Sequence, residues 1–121
     1  MIQGEFNSRG ELFFEIGLLS ADGDIIPVMA LLDTGFTGWL AIDNQDAESL
    51  GWRSYNYTRD MQTARGEERL NLYEGKVVIE EEEFTIDVLG GNELANILLG
   101  VFLLRRKRLV VDFPMGVLTL G

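Results

Sequence analysis

The stretch of sequence that decides the fold is ALLDTGFTGWLAI, residues 30–42. An apolar run stops abruptly at Asp33-Thr34-Gly35 and resumes at Trp39. Burying a carboxylate between two hydrophobic strands costs free energy unless the group receives hydrogen bonds, takes up a proton or has a chemical role. Asp33 is therefore the first residue whose presence needs a functional explanation.

A second apolar run ends on glycine much further along the chain. It reads NILLG over residues 96–100 and closes with Leu98, Leu99 and Gly100. A run this apolar is suited to the centre of the domain. The chain thus contains two junctions between an apolar segment and a glycine, far apart in the sequence.

The remaining sequence is punctuated like that of a mostly β domain, because 14 glycines and only two prolines separate short apolar stretches. Two short helices are predicted, over residues 44–50 with Asp43 as the N-terminal cap and over residues 101–107. A long polar hairpin is expected over residues 55–73, and a break at 90–92. Strands are predicted over residues 11–19, 25–32, 39–42, 74–80, 84–89, 109–113 and 117–120.

The length and composition fit one globular domain over residues 1–121. A chain of 121 residues can bury most of a single core without disulfides or metals. The sequence is 46% hydrophobic and 25% charged, with both signs of charge present, which is the composition of a folded chain and not of a disordered one.

Two residue types that carry much of enzyme chemistry are missing from the sequence, since it contains neither cysteine nor histidine. This excludes thiolate zinc sites, cysteine nucleophiles, and serine or cysteine catalysis assisted by imidazole. Binding of a hard cation by carboxylates alone is the one metal chemistry left open. The catalytic chemistry available is mostly that of carboxylates, and no metal or other cofactor is expected.

The net charge also restricts the partners of the chain. A formal charge of −10 repels phosphate backbones, so nucleic acid is not an expected partner. No stretch approaches the roughly 18 to 20 apolar residues of a membrane-spanning helix, and the start of the sequence lacks the basic and apolar segments of a leader. A soluble cytoplasmic protein that does not contact membranes is the expectation.

Together, the Asp33-Thr34-Gly35 junction, the Leu98-Leu99-Gly100 segment and the order of elements resemble those of the retropepsin-like aspartic peptidases. These are small single-domain proteases that include retroviral enzymes and bacterial relatives called clan AA aspartic proteases. The resemblance covers nearly the whole chain. It implies an all-β fold, a closed β-barrel corresponding to a single acid-protease lobe, with one or two short helices.

The resemblance also implies a mechanism and a set of site residues. Two copies of Asp33 would meet across the axis of a homodimer, share one proton and activate a water that hydrolyses a peptide bond. Thr34 would belong to a hydrogen-bond network crossing that axis, and the backbone of Gly35 would donate toward the carboxylates. Leu98, Leu99 and Gly100 would position the catalytic loop. The hairpin over residues 55–73 would be a flap that closes over a peptide substrate through its tip residues Arg65, Gly66 and Glu67.

Other functions are compatible with the same residues. Asp33-Thr34-Gly35 could be a simple turn in which Asp33 accepts backbone amides and Gly35 supplies a positive φ. Phe36 is larger than the Ala, Ser or Thr usual after Asp-Thr-Gly in active peptidases. A peptide-binding or dimerisation module without catalytic activity, with its cleft narrowed by Phe36, is therefore the alternative function. A phosphoryl-transfer site of the Asp-x-Asp-x-Thr type is disfavoured, because Gly35 stands where its second acid is required.

Overall fold

A computed structural model describes residues 1–63 and 66–121 of the chain. Within these ranges the chain forms two short helices, α1 (Asn44–Ser49) and α2 (Val101–Leu104). The strands, in chain order, are β1 (Ile2–Gln3), β2 (Glu5–Phe6), β3 (Leu12–Leu19), β4 (Ile25–Leu32), β5 (Leu40–Asp43), β6 (Arg53–Thr63), β7 (Gly66–Ile79), β8 (Glu82–Gly91), β9 (Ile97–Leu99), β10 (Leu109–Asp112) and β11 (Val117–Leu120).

Most of the strands belong to one sheet that closes on itself. Its order is β2-β3-β4-β9-β5-β8-β7-β6, and an additional pairing of β3 with β7 closes a barrel from β3, β4, β9, β5, β8 and β7. The distal parts of β6 and β7 extend from this barrel as a hairpin. The fold class predicted from the sequence is confirmed: the described residues form an all-β fold with a closed barrel and two short helices.

The barrel interior is filled by alternate side chains of its strands, as the two-residue period of a strand requires. In β3, for example, Phe14, Ile16 and Leu18 point inward while Glu15 between them is exposed. The fully buried Leu40 and Leu99 pack into the same core. A smaller hydrophobic cluster lies beside this core and joins the start of β5 to the hairpin; its buried members are Phe36, Ala41, Leu70, Leu72 and Leu89.

The two junctions singled out in the sequence meet in the middle of the sheet. β9 runs parallel to β4, with Leu98 beside Leu31 and Leu99 beside Leu32. The other edge of β9 pairs with β5, where Leu99 lies beside Leu40. The segment that ends at Asp33 is therefore fixed by strand pairing next to the segment that ends at Gly100.

A second, smaller sheet has the order β1-β11-β10 and brings the two ends of the described chain together. Ile2 lies opposite Leu120, and Leu109 lies opposite the same leucine on the other side. Leu118 and Leu120 are buried beneath this sheet. The hairpin formed by β10 and β11 also carries exposed large apolar side chains, namely Val110, Val111, Phe113, Met115 and Val117.

Several predicted boundaries were wrong. The hairpin predicted over residues 55–73 is longer, because β7 runs without interruption from Gly66 to Ile79 and includes most of the strand predicted over 74–80. Pairing of β7 with β8 continues from Asn71 to Ile79, so nothing ends the strand at Tyr73. The helix predicted over residues 101–107 ends at Leu104, and β1 and β2 were not predicted at all.

The break predicted at residues 90–92 was also misplaced. Gly90 and Gly91 are the last residues of β8 and pair in parallel with Ile42 and Asp43. Gly90 is required for space: a Cβ atom there would overlap the side chains of Asn44 and Tyr73. Glycine at this position therefore permits close packing against the strand and does not mark a turn.

Candidate active site

Asp33 stands where β4 leaves the sheet, and backbone hydrogen bonds fix its position. Its N–H donates to the carbonyl of Leu99 over 2.9 Å, which continues the pairing of β4 with β9 by one residue. Its own carbonyl accepts the N–H of Phe36 over 3.2 Å, which closes a tight turn over residues 33–36. The turn leaves the Asp33 side chain partly exposed at the end of a buried strand.

The carboxylate of Asp33 is held by the backbone of its own loop. Oδ1 accepts the N–H of Gly35 over 2.9 Å. A Cβ atom at Gly35 would lie 3.2 Å from this oxygen, so a larger residue would crowd the carboxylate. Gly35 is not among the glycines with positive φ, so close approach and not backbone conformation accounts for it here. Thr34 lies exposed between the two residues.

Gly100 interlocks the Asp33 loop with the start of α2. Its N–H donates to the carbonyl of Trp39 over 3.0 Å, while the carbonyl of Gly38 accepts the N–H of Phe102 over 3.1 Å. A Cβ atom at Gly100 would overlap the carbonyl of Gly38 and lie 2.8 Å from the ring of Phe36. The loop can pack this closely only because residue 100 has no side chain.

A cavity of about 630 Å³ opens beside Asp33. On one side it is bounded by the loop, through Asp33, Gly35, Phe36 and Thr37. On the opposite side it is bounded by the hairpin of β6 and β7, through Met61, Gln62, Glu68 and Leu70. Ala41, Leu94 and Leu98 complete its lining. Asp33 therefore borders a largely apolar cleft between its hydrogen-bonded loop and the hairpin, which is the size and character of a ligand site.

Solved structures with this arrangement identify the fold. A retropepsin-like aspartic protease from Rickettsia conorii superposes with a TM-score of 0.72 and 28% sequence identity, covering 99% of this chain and 88% of that one. The chain has the retropepsin-like fold. No protein-family model and no curated protein sequence matches the chain.

Two more distant structures share only the fold. The EIAV protease complexed with the inhibitor HBY-793 has a TM-score of 0.63 and 17% identity, and the match covers 84% of this chain and 91% of that one. The retroviral protease-like domain of Ddi1 from Leishmania major has a TM-score of 0.57 and 16% identity, covering 92% of this chain and 88% of that one. Viral and eukaryotic proteins thus carry the same architecture as this retropepsin-like chain.

The hairpin of β6 and β7 occupies the position of the expected flap. Arg65, predicted to contact substrate, lies outside the described residues. Gly66 begins β7 with a φ of +100°, and Glu67 is exposed opposite Gln62. Neither Gly66 nor Glu67 lines the cavity, so their contact with substrate stays a prediction.

Sequence reasoning missed the residues that bound the cavity on the hairpin side. Met61 and Gln62 reach it from β6, and Glu68 and Leu70 reach it from β7. Glu68 lies opposite Met61, and Leu70 lies opposite Arg59. The alternation of apolar and polar residues around Leu70 and Leu72 was the only signal in the sequence. It predicts which side chains lie on the same side of the strand, but not that this side borders a cavity.

The predicted supporting segment lies against the Asp33 loop. Leu98 lines the cavity, and Leu99 is only 1% exposed and accepts the hydrogen bond from Asp33. Gly100 makes the close contact with Gly38. The sequence and the structure thus bring Asp33, Gly35, Leu98, Leu99 and Gly100 to one place.

A polar network fixes the base of the hairpin near this cleft. Oδ1 of Asn44 accepts a hydrogen bond from the hydroxyl of Tyr73 over 3.0 Å and another from Nδ2 of Asn71 over 3.1 Å. Nδ2 of Asn44 donates in turn to Asn92 over 2.9 Å. Burial raises the pKa of Tyr73, with a smaller contribution from the negative charge of Glu48. The network joins α1 to β7 and to Asn92, the residue that follows β8, so the base of the hairpin is fixed in place.

The described residues offer no obvious metal centre. No group of three or more carboxylates within residues 1–63 and 66–121 is arranged to hold a metal ion. None of the helices in those ranges has the length and apolar character needed to cross a membrane. The polar side chains that line the cleft belong to Asp33, Thr37, Gln62 and Glu68.

Proposed function

We propose that the chain is an aspartic endopeptidase that hydrolyses peptide bonds as a homodimer. The observation that carries this proposal is the Asp33 carboxylate, held by the Gly35 N–H at the wall of an apolar cleft beneath the hairpin. General acid–base catalysis needs a titratable group that is positioned and within reach of a bound substrate. Similarity to the Rickettsia conorii aspartic protease over nearly the whole chain gives further support.

The reaction requires a second carboxylate, and a second copy of the chain supplies it. Two carboxylates that meet across a two-fold axis repel each other when both are ionised, so the pair retains one proton. The ionised Asp33 removes a proton from a water molecule while that water attacks the scissile carbonyl carbon. The protonated Asp33 of the second copy donates its proton to the carbonyl oxygen, which gives a gem-diol intermediate. As the C–N bond breaks, the first Asp33 passes the proton it took from water to the amide nitrogen, and the second Asp33 takes a proton back from a gem-diol hydroxyl, so that an amine and a carboxylic acid are released.

Exposed apolar side chains offer an interface for the proposed dimer. The β10–β11 hairpin presents Phe113 at 59% exposure and Met115 at 75%. Association of two such surfaces removes apolar area from water and can offset the repulsion between two chains that each carry a charge of −10. We infer that this hairpin is part of the dimer interface.

The substrate expected from the cleft is a peptide in an extended conformation. The walls of the cavity on both sides are mostly apolar, with Leu70 and Leu98 facing it from β7 and β9. An extended chain can lie between the Asp33 loop and the hairpin, where closure of the hairpin excludes water. Thr34 is proposed to join the two Asp33 loops across the axis of the dimer. The peptide is proposed to be contacted by the hairpin residues Arg65, Gly66 and Glu67.

Cleavage of peptides by the purified chain tests this function. A diverse peptide library is incubated with the protein from acidic to neutral pH, and the products are identified by mass spectrometry. Asp33→Asn is expected to lower the cleavage rate by about a hundredfold to ten-thousandfold, because it removes the general base. Asp46→Asn is the matched control, since Asp46 is an exposed acid on α1 away from the cleft.

The same experiment distinguishes the second candidate function. The buried Phe36 ring occupies part of the region beside Asp33, which favours a module that binds peptides without cleaving them. Cleavage that survives Asp33→Asn contradicts the proposed enzyme. A folded dimer that retains library peptides but releases no products at any pH establishes the binding module instead.

A further inference from the structure

We propose that Phe36 determines the size of the apolar substrate side chain accepted next to the scissile bond. This inference rests on the proposed function, because it takes the cavity beside Asp33 as the site of peptide binding. Phe36 and Asp33 are three residues apart in one tight turn, and both line this cavity. A wall so close to the reacting carboxylate shapes the subsite for a residue adjoining the bond that is cut.

The wall that Phe36 forms is apolar and belongs to the smaller hydrophobic cluster. Phe36, Ala41 and Leu70 are buried members of the cluster, and they line the cavity together with the partly buried Leu94 and Leu98. The cluster thus borders unfilled space beside Asp33. An apolar side chain from a peptide is the occupant that gains most from entering such a space.

Phe36 is a fixed part of this wall. Its N–H donates to Asp33 over 3.2 Å, and its carbonyl accepts the N–H of Val101 over 3.0 Å. Its ring lies directly over two glycines: a Cβ atom at Gly38 would be 2.6 Å from the ring, and one at Gly100 would be 2.8 Å from it. Only 8% of the residue is exposed. Because the backbone and the ring are both packed, the ring limits the cavity and cannot easily move aside for a larger ligand.

Shortening Phe36 enlarges the subsite by about the volume of the ring. The added space borders the apolar side chains of the cluster, so an apolar group that enters it is removed from water. In an apolar pocket, each methylene gained or lost changes discrimination by roughly 10-fold to 200-fold. The native subsite is therefore expected to favour Val or Leu over Phe or Trp, and Phe36→Ala to favour the aromatic side chains.

The test uses binding, so that it does not depend on hydrolysis. Chains carrying Asp33→Asn are immobilised and exposed to a peptide library in which one position is Ala, Leu, Phe or Trp and the other positions are random. Bound peptides are quantified by mass spectrometry. Adding Phe36→Ala is expected to raise the ratio of bound Trp peptides to bound Leu peptides by at least about tenfold. Phe36→Leu, which keeps more of the packing, is expected to raise it by a smaller factor.

Leu72→Ala is the matched control. Leu72 belongs to the same cluster and is 1% exposed, but it does not line the cavity. Its truncation loosens the cluster without enlarging the proposed subsite, so the ratio of bound Trp to Leu peptides is expected to remain as in Asp33→Asn alone. An equal change in the Leu72 and Phe36 variants overturns the proposal, and so does an unchanged ratio in a folded Phe36→Leu chain.

The outcome is separable from that of the proposed function. If the ratio shifts as expected while the unmodified chain cleaves no peptide, Phe36 selects the ligands of a binding module and the proposed hydrolysis is wrong. If the unmodified chain cleaves peptides and the ratio does not shift, the enzyme stands and the role given to Phe36 is wrong. Failure of every folded chain to retain any library peptide overturns the assignment of this subsite.

Discussion

Gly100 shows how much the geometry around Asp33 depends on the absence of one side chain. A Cβ atom at Gly100 would meet the carbonyl of Gly38 and the ring of Phe36, and the N–H of Gly100 donates to Trp39 in the loop that follows Asp33. Two of the three heavy atoms nearest to an added Cβ are backbone atoms of Gly38, so a change of rotamer cannot relieve the clash. At this scale, the geometry of the candidate site depends on close backbone packing between Gly38 and Gly100.

Gly100→Ala is expected to lower the free energy of unfolding by about 3 kcal/mol, at the upper end of the usual cost of overpacking, because backbone must move to admit the methyl group. Urea denaturation measures this loss. Gly23→Ala serves as the control: Gly23 has a φ of +92° but no atom within 4 Å of an added Cβ. It is expected to cost only about 1 kcal/mol through its backbone conformation. Equal losses would show that close packing at Gly100 is unimportant.

Among the elements, the hairpin of β6 and β7 depends on the polar network at its base. Tyr73 is buried there and donates to Asn44, which also accepts from Asn71. Burial raises the pKa of the Tyr73 hydroxyl. A group whose pKa is higher in the folded than in the unfolded chain stabilises the fold below its unfolded pKa, near 10, and this stabilisation is lost as the pH rises through the folded value.

Tyr73→Phe is therefore expected to flatten the alkaline side of the stability profile. Above about pH 9 the unmodified chain should lose stability more steeply than the variant, because only the unmodified chain has a phenol that ionises more readily in the unfolded than in the folded state. At pH 7 the variant should be less stable by about 1 kcal/mol, the usual worth of the lost hydrogen bond. Chemical denaturation at a series of pH values measures both effects. Parallel profiles for the two chains would contradict the role given to Tyr73.

The elements that could be predicted from the sequence are those with local signals. Ile25–Leu32 was predicted with its observed bounds, and the Gly23 turn before it has the expected positive φ. Asp43 was correctly predicted as a cap, since its side chain accepts the N–H of Gln45 over 3.0 Å. These features depend on neighbouring residues, which the sequence shows directly.

What could not be predicted depends on contacts between distant residues. Gly90 reads as a turn residue, and only its packing against Asn44 and Tyr73 explains its place within β8. Gln62 and Glu68 line the cavity because of the register between β6 and β7, which no local pattern specifies. Asp33 could be identified from the sequence because a carboxylate within an apolar segment is costly to bury. Leu94 lines the same cavity, but a leucine at its position carries no such signal.

At the scale of the whole molecule, charge opposes the proposed dimer and exposed apolar surface favours it. Each chain carries a formal charge of −10, so two chains repel each other over a distance that shortens as the salt concentration rises. The β10–β11 hairpin presents apolar residues at the surface, with Phe113 the most exposed aromatic of the described chain. Association should therefore strengthen as ionic strength rises, in contrast to an interface made of salt bridges.

Phe113→Glu is expected to weaken the dimer by at least about tenfold in dissociation constant, since it removes apolar area and adds one more negative charge to each chain. Ile25→Glu is the matched control, because Ile25 is also 59% exposed but lies at the start of β4, a full strand away from Asp33. Analytical ultracentrifugation at about 10 mM and 500 mM salt measures association, and thermal unfolding checks that both variants fold. Peptide cleavage should fall with the dimer fraction, because one chain supplies only one Asp33. A folded monomer that cleaves peptides as fast as the dimer would remove the need for the second carboxylate.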